Sequence, residues 1–418
     1  MQTFDFIPAD TLFCRDQRPL AAGHSFGRGA NWPLPTVLHS AIRTALLRQM
    51  GSLPTRKGVD GRARKGIARK VASTKYQWLN LRGPFPVDEK GVMYFPIPRD
   101  LVPAVAADCD CRPIEGEESR RPQTAVKSLK IILNAGKNNL PVPLTHLAAP
   151  PDKPSKVKLP DWISESEYIA YLIGDLKKLP ERKPLWDSEH RMGVEINPAT
   201  HTAAEGQLYA AEHLRLRDGV KLRFAVSEPP KHKPANPNEP LSLAEHILQL
   251  GGEQRFGKVR AVNDEWRLPK IELADGHVKW VLLTPAIFVH GWRPGWVDEA
   301  GNVRLRVVDK ATRADRRRPR YDNADWKYDE TNDQAEKIGA KLVAACVGKP
   351  QVVGGWDDQP KPTSLAVPSG SVYYFKADTA TEARKLAGVL QGRCKSDFFG
   401  EKGLGLGVCG TWQEGSGA

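Results

Sequence analysis

The chain has 418 residues, 40% of them hydrophobic, which allows a sizeable core and suggests two domains. Lys and Arg number 62 against 49 Asp and Glu, a net charge of +13 and a sequence pI near 9.4 that favours an anionic partner such as nucleic acid. Six cysteines are too few for a disulfide framework, and no apolar run has the length of a membrane span, so a cytoplasmic protein is expected.

Phe4 and Phe6 mark a first strand. The phrase Asp10-Thr-Leu-Phe-Cys-Arg-Asp-Gln-Arg-Pro19 follows, then a loop with Gly23, Gly27 and Gly29. Pro33 and Pro35 suit a first helical turn, because proline fixes φ and has no N–H to lose. From there Leu34, Leu38, Ile42 and Leu46 recur every four residues, with Ala41 and Ala45 beside them, as one apolar helix face. The other face carries His39, Arg43 and Arg48. Gly51 is a stop signal.

Residues 52–75 hold eight Lys/Arg, Arg62, Arg64 and Lys65 among them, against the single acid Asp60. They show no apolar period and read as a basic loop for RNA or a partner, or as a solvated insertion. Strands are expected at Tyr76–Leu81 and Val92–Ile97. Residues 103–125 read as a polar loop, and 141–160 as a Pro/Lys-rich excursion. Ser164 with Glu167 forms a capping-box pattern ahead of a short helix with Tyr168, Ile169, Leu172 and Ile173.

His190-Arg-Met-Gly-Val-Glu-Ile-Asn197 and Glu205-Gly-Gln-Leu-Tyr-Ala-Ala-Glu-His-Leu-Arg215 come next; the first carries Arg191. Val220, Leu222, Phe224 and Val226 alternate as a half-buried strand. Five prolines in 227–241 read as a domain boundary. A short helix is expected over Leu243–Leu250, running into Leu250-Gly-Gly-Glu-Gln-Arg-Phe-Gly257, which carries Arg255. A strand at Val278–Thr284 leads to Thr284-Pro-Ala-Ile-Phe-Val-His-Gly-Trp-Arg-Pro294. Residues 304–336 are a polyampholyte insertion, eight Lys/Arg up to Arg320 and then six acids from Asp322. The chain ends with Gly354-Gly-Trp-Asp357, Ala366-Val-Pro-Ser-Gly-Ser-Val-Tyr-Tyr-Phe375, a helix capped by Thr381, a Gly-rich loop at 400–410 and a strand with Trp412.

These phrases together resemble the third subunit of the type III-B (Cmr) CRISPR effector complex, a family of the RAMP superfamily. The helix phrase Ala41-Ile-Arg-Thr-Ala-Leu-Leu47 and the segments near 10–47, 190–215, 250–257, 284–294, 354–375 and 400–412 carry the likeness. It implies an α+β fold of two tandem ferredoxin-like (RRM-like) RAMP domains with long loop insertions. The first would span 1–226 and the second 242–418, joined by the boundary at 227–241. It also implies a non-catalytic subunit without cofactor or metal. Such a subunit would anchor the 5′ tag of the guide RNA and dock the large polymerase-like subunit and a backbone RAMP subunit.

The residues themselves contain no assembled catalytic constellation. Gly252-Glu-Gln-Arg-Phe-Gly257-Lys258 lacks the Ser or Thr a P-loop needs, since Val259 stands there. Gly405-Leu-Gly407-Val-Cys-Gly410 leaves too little chain for a dinucleotide fold. Asp108, Cys109 and Cys111 have no second ligand pair at zinc spacing. The rival readings are a metal-independent RAMP endonuclease using His24 or His39 and a nucleotide-dependent enzyme. With no RNP1-like aromatic run, RNA contact falls to loops and arginines. The candidates are Arg15, Arg18, Arg43, Arg48, Arg62, Arg64, Lys65, Arg191 and Arg255. Gly403, Gly405 and Gly407 are added either as phosphate-facing backbone or as close packing.

Overall fold

The computed structural model describes residues 1–14, 26–27, 32–49, 78–105, 124–134, 140–150, 155–197, 199–227, 243, 245–307, 336–354, 356–357, 359–360 and 363–415. The architecture is α+β, mostly strands with few helices. Its main elements are β1 (Gln2–Pro8), α1 (Pro35–Gln49), β2 (Leu81–Val87), α2 (Glu165–Ile173), β3 (Trp186–Ile196), β4 (Ala203–Leu216), β5 (Lys221–Val226), β6 (Ile247–Gln249) and β7 (Phe256–Val262). They continue as β8 (His277–Leu282), β9 (Ala340–Cys346), β10 (Val372–Ala377), α3 (Ala380–Leu390), β11 (Arg393–Cys394) and β12 (Leu406–Gly410).

The first sheet runs β6-β7-β1-β5-β2 and is antiparallel throughout. Leu38, Ile42 and Leu46 of α1 bury against Phe4, Phe6, Leu222, Phe224 and Val259 on one face of it. The four-residue recurrence in the helix meets the two-residue alternation in the strands, and both aim at one core. His39 joins the buried side of α1, contrary to its expected place on the polar face; its Nε2 lies 3.3 Å from the Leu79 carbonyl.

The second sheet runs β9-β10-β8-β12-β11, also antiparallel. Ala383, Leu386 and Leu390 of α3 pack with Trp280, Tyr373 and Phe375 on one face. The other face takes Tyr168, Tyr171 and Leu172 of α2 against Val281, Val372, Tyr374 and Val408. Phe85 and Val87 of the first sheet enter the same cluster. At its centre the buried Asp100 accepts hydrogen bonds from Tyr171 (2.8 Å) and Tyr374 (2.6 Å).

Several local expectations shift. The capping box forms: Ser164 and Glu167 exchange both bonds ahead of α2. α3 is capped by Thr379, whose hydroxyl accepts from the Glu382 amide, and not by Thr381, which lies inside the first turn. The expected helix over Leu243–Leu250 is instead β6. Leu248 is buried while Ile247 is exposed, a two-residue alternation fixed by pairing with β7. Of the strand expected at Tyr76–Leu81, residues 78–80 are not strand and β2 starts at Leu81, while 76 and 77 lie outside the described residues. Because β6 and β7 pair into the first sheet, that sheet draws on chain beyond the boundary expected at 227–241. Among the described residues, no helix is long and apolar enough to cross a membrane.

Candidate nucleic-acid interface

β3 and β4 form a long antiparallel hairpin, with register from Trp186↔Leu216 to Ile196↔Ala203 and an irregularity between Val194 and Ile196. Its base is fixed by aromatic packing: the Trp186 ring lies 4.9 Å from that of Trp32 and 5.9 Å from that of Trp162. Strand alternation then puts Met192 and Val194 on one side of β3, and both are exposed, Met192 by 66%, as is Ile196 beyond the irregularity. Large apolar side chains exposed in a row are unusual for a solvated surface.

Below this ridge three arginines converge on Asp10. Arg191 Nη2 lies 2.9 Å from its carboxylate, Arg215 Nη2 3.0 Å and Arg255 Nη1 3.1 Å. Glu189 pairs with Arg191 and Arg215. Hydrogen bonding from Arg191, with the charges of Arg191 and Arg215, outweighs desolvation and lowers the Asp10 pKa to about 2. Beside them, His213 is fully buried. Its Nδ1 lies 3.0 Å from Thr11 Oγ1, and its ring stacks on Phe13 at 5.0 Å. Its Nε2 sits 3.1 Å from Glu253 Oε2 without the alignment of a hydrogen bond. Burial lowers the His213 pKa, against the pull of Glu253. The guanidinium groups are thus held in fixed positions, with part of their charge already answered by Asp10, Glu189 and Glu253.

The candidates fall into separate places. Arg191 and Arg255 meet at Asp10, joined by Arg215, which the sequence had not singled out. Arg43 is half-buried on α1, and Arg48 is exposed in its last turn. Arg15, Arg18, Arg62, Arg64 and Lys65, with His24, Asp16, Cys109 and Cys111, lie outside the described residues.

Gly403, Gly405 and Gly407 are buried, which agrees with close packing, the second of their two readings. The Gly403 amide donates to the Gly400 carbonyl and that of Gly405 to the Pro285 carbonyl. A Cβ on Gly407 would stand 2.2 Å from Trp280 Nε1 and one on Gly403 2.9 Å from Pro35 Cβ. These glycines are small so that protein can approach. The contact does bring the 403 loop against the start of α1.

His39 is held neutral: burial first, then the charges of Lys402 and Arg43, lower its pKa to about 4. Val259 lies buried within β7, so Gly252–Lys258 leads into a strand and not into a phosphate-binding helix. Cys14, Cys346 and Cys394 are pushed up to about 12, chiefly by burial, so they stay thiols. Among the described residues, no group of three His, Cys, Asp or Glu could hold a metal.

The chain is thus a basic α+β protein with two antiparallel sheets and a long hairpin that carries exposed apolar side chains. The family model described as CRISPR-associated protein (Cas_Cmr3) matches residues 4–412. The chain therefore belongs to that family and is a Cmr3-type subunit of a type III-B CRISPR effector. No curated protein matches it. It is similar to a chain in a cryo-EM structure of the type III-B Cmr-beta bound to cognate target RNA and AMPPnP. The identity there is 12% and the TM-score 0.44, over 89% of this chain and 86% of that one. A chain in the crystal structure of a Csm3–Csm4 subcomplex of the type III-A interference complex aligns at 14% identity, over 91% of this chain and 94% of that one, with a TM-score of 0.34.

Proposed function

We propose that this subunit binds the guide RNA at its 5′ tag without catalysing a reaction itself. We propose further that it docks the large polymerase-like subunit and a backbone RAMP subunit. The observation that carries the reading is the family match across residues 4–412, together with a net charge of +13. Both sheets place the fourth strand of their unit beside the first, then the third, then the second, counting β1, β2, β5, β7 and β8, β9, β10, β12. That order supports two tandem ferredoxin-like units, with β6 and β7 assigned to the first.

The hairpin suits RNA. Apolar side chains can wedge against unstacked bases, while arginines at its root meet phosphates. Arg191, Arg215 and Arg255 stand fixed there, and Arg43, Arg48, Arg15, Arg18, Arg62, Arg64 and Lys65 remain the other candidates. The endonuclease alternative is weakened by His39, which is buried and neutral and so has no proton to donate to a leaving group.

The test is binding of labelled guide RNA with an intact or a scrambled 5′ tag to the effector assembled with and without this chain. Tag-dependent protection that appears only with this subunit, falls as salt rises and leaves the RNA uncut with or without Mg²⁺ is expected. Cleavage abolished by His24→Ala, or protection indifferent to the tag, would overturn the reading.

A further inference from the structure

The face of the first sheet turned away from α1 carries a pattern the hairpin does not. Along β7, Phe256, Lys258 and Arg260 are exposed while Gly257 and Val259 are buried. Val259 and Leu248 belong to the α1 core, so the exposed three point to the opposite face. Residues two apart on a strand recur every ~6.8 Å, a step that an extended nucleotide chain can follow. Lys258 is flanked by Ile247 on β6 and Ile7 on β1, and Gln249 stands across from Phe256. Ile247 is 69% exposed and Phe256 51%. Among the described residues, no aromatic ring stacks on Phe256.

The charges around this ring are mixed but favour an anion. Lys258 pairs with Glu245, and Asp5 is shared by Arg223 and Lys221. Asp264 lies near Arg223. Arg260 makes no salt bridge among the described residues, but Asp5 stands across from it on β1 and the Arg260 charge acts on Glu245. An aromatic ring with cations at alternate positions on an open antiparallel sheet is the arrangement on which single-stranded RNA stacks, base on ring and phosphate on cation. A protein partner could use the same apolar residues and pair a carboxylate with Arg260; the regular alternation of ring and cations along one strand is what favours RNA.

We infer that the outer face of β6 and β7 binds a stretch of single-stranded RNA, with a base stacked on Phe256 and phosphates on Lys258 and Arg260. This rests on the RNA-binding function proposed above and adds a contact separate from the hairpin. The probe is fluorescein-labelled oligouridine, titrated into the full chain and followed by anisotropy. Phe256→Ala is expected to weaken binding roughly tenfold, in the range of a lost stacking platform, and Phe256→Trp to keep it. The double change Lys258→Gln with Arg260→Gln should reduce the salt slope by about two. Ultraviolet cross-links should fall at 256–260. Wild-type affinity in both Phe256→Ala and the double variant overturns the inference. So does normal RNA affinity in Phe256→Ala with lost assembly into the effector, which would make the face a protein contact. A wild-type chain that binds neither oligouridine nor guide RNA removes the proposed function as well, whereas tag binding that ignores Phe256 removes this inference alone.

Discussion

Tyr374 on β10 donates a 2.6 Å hydrogen bond to Asp100, a residue 274 positions earlier in the chain. Tyr171 on α2 takes the other oxygen of the same carboxylate at 2.8 Å. Lys279 completes the surroundings: it is buried, donates to the Tyr171 carbonyl at 2.8 Å and stands over the Tyr171 ring at 3.6 Å. One carboxylate thereby joins the early loop, α2 and the second sheet. Asp100→Ala strands two buried hydroxyls, and a loss of about 3–5 kcal/mol in urea unfolding is expected. Tyr374→Phe removes one bond and should cost about 1–3 kcal/mol. A loss below 1 kcal/mol for Asp100→Ala would mean that the joint contributes little to the fold.

His39 makes stability depend on mild acid. Its folded pKa of about 4 lies below the ordinary 6.5. Between those values the unfolded chain holds a proton that the folded chain refuses, so stability rises with pH there. The contribution is complete above pH 6.5 and lost as pH falls toward 4, on the order of 3 kcal/mol. In His39→Asn this part of the pH dependence should vanish. Parallel curves of urea midpoint against pH for the two proteins would refute the assignment.

Asp10 acts in a lower window. Its carboxyl, held near 2 against an ordinary 3.8, contributes above pH 4 and loses its effect as pH falls toward 2. The site is half-exposed, so the global effect should be about 1 kcal/mol or less. The local effect is the better readout. Asp10→Asn should speed amide exchange at the hairpin root, residues 186–191 and 211–216, at neutral pH. Unchanged exchange there would show that the arginines are held by Glu189 and Glu253 alone.

Gly407 separates packing from phosphate binding. With Trp280 buried 2.2 Å from where a Cβ would stand, Gly407→Ala should destabilise the second sheet by about 1–3 kcal/mol. RNA affinity of the folded fraction should not change. A stable variant with weakened RNA binding would restore the phosphate reading.

The sequence by itself determined what depends on neighbours along the chain. Leu38, Ile42 and Leu46 recur at the helical period and bury together. Ser164 and Glu167 close their capping box within one turn. Leu222, Phe224 and Val226 alternate and line one side of a strand. Charge and motif phrases also carried the family. The tertiary structure alone decided which strands are neighbours. Two-residue alternation says that Leu248 turns inward and Ile247 outward, yet not that β6 and β7 belong beside β1 across 227–241. Asp10 lies 181 residues from Arg191 and 245 from Arg255, so no spacing rule links them. His39 shows the same limit from the other side: its polar type suggested an outward face, while the Leu79 carbonyl and the loop at Lys402 enclosed it. Local periodicity fixes the direction of a side chain relative to its own backbone. What that direction meets is set by long-range strand pairing, whose register gathers residues from the whole chain.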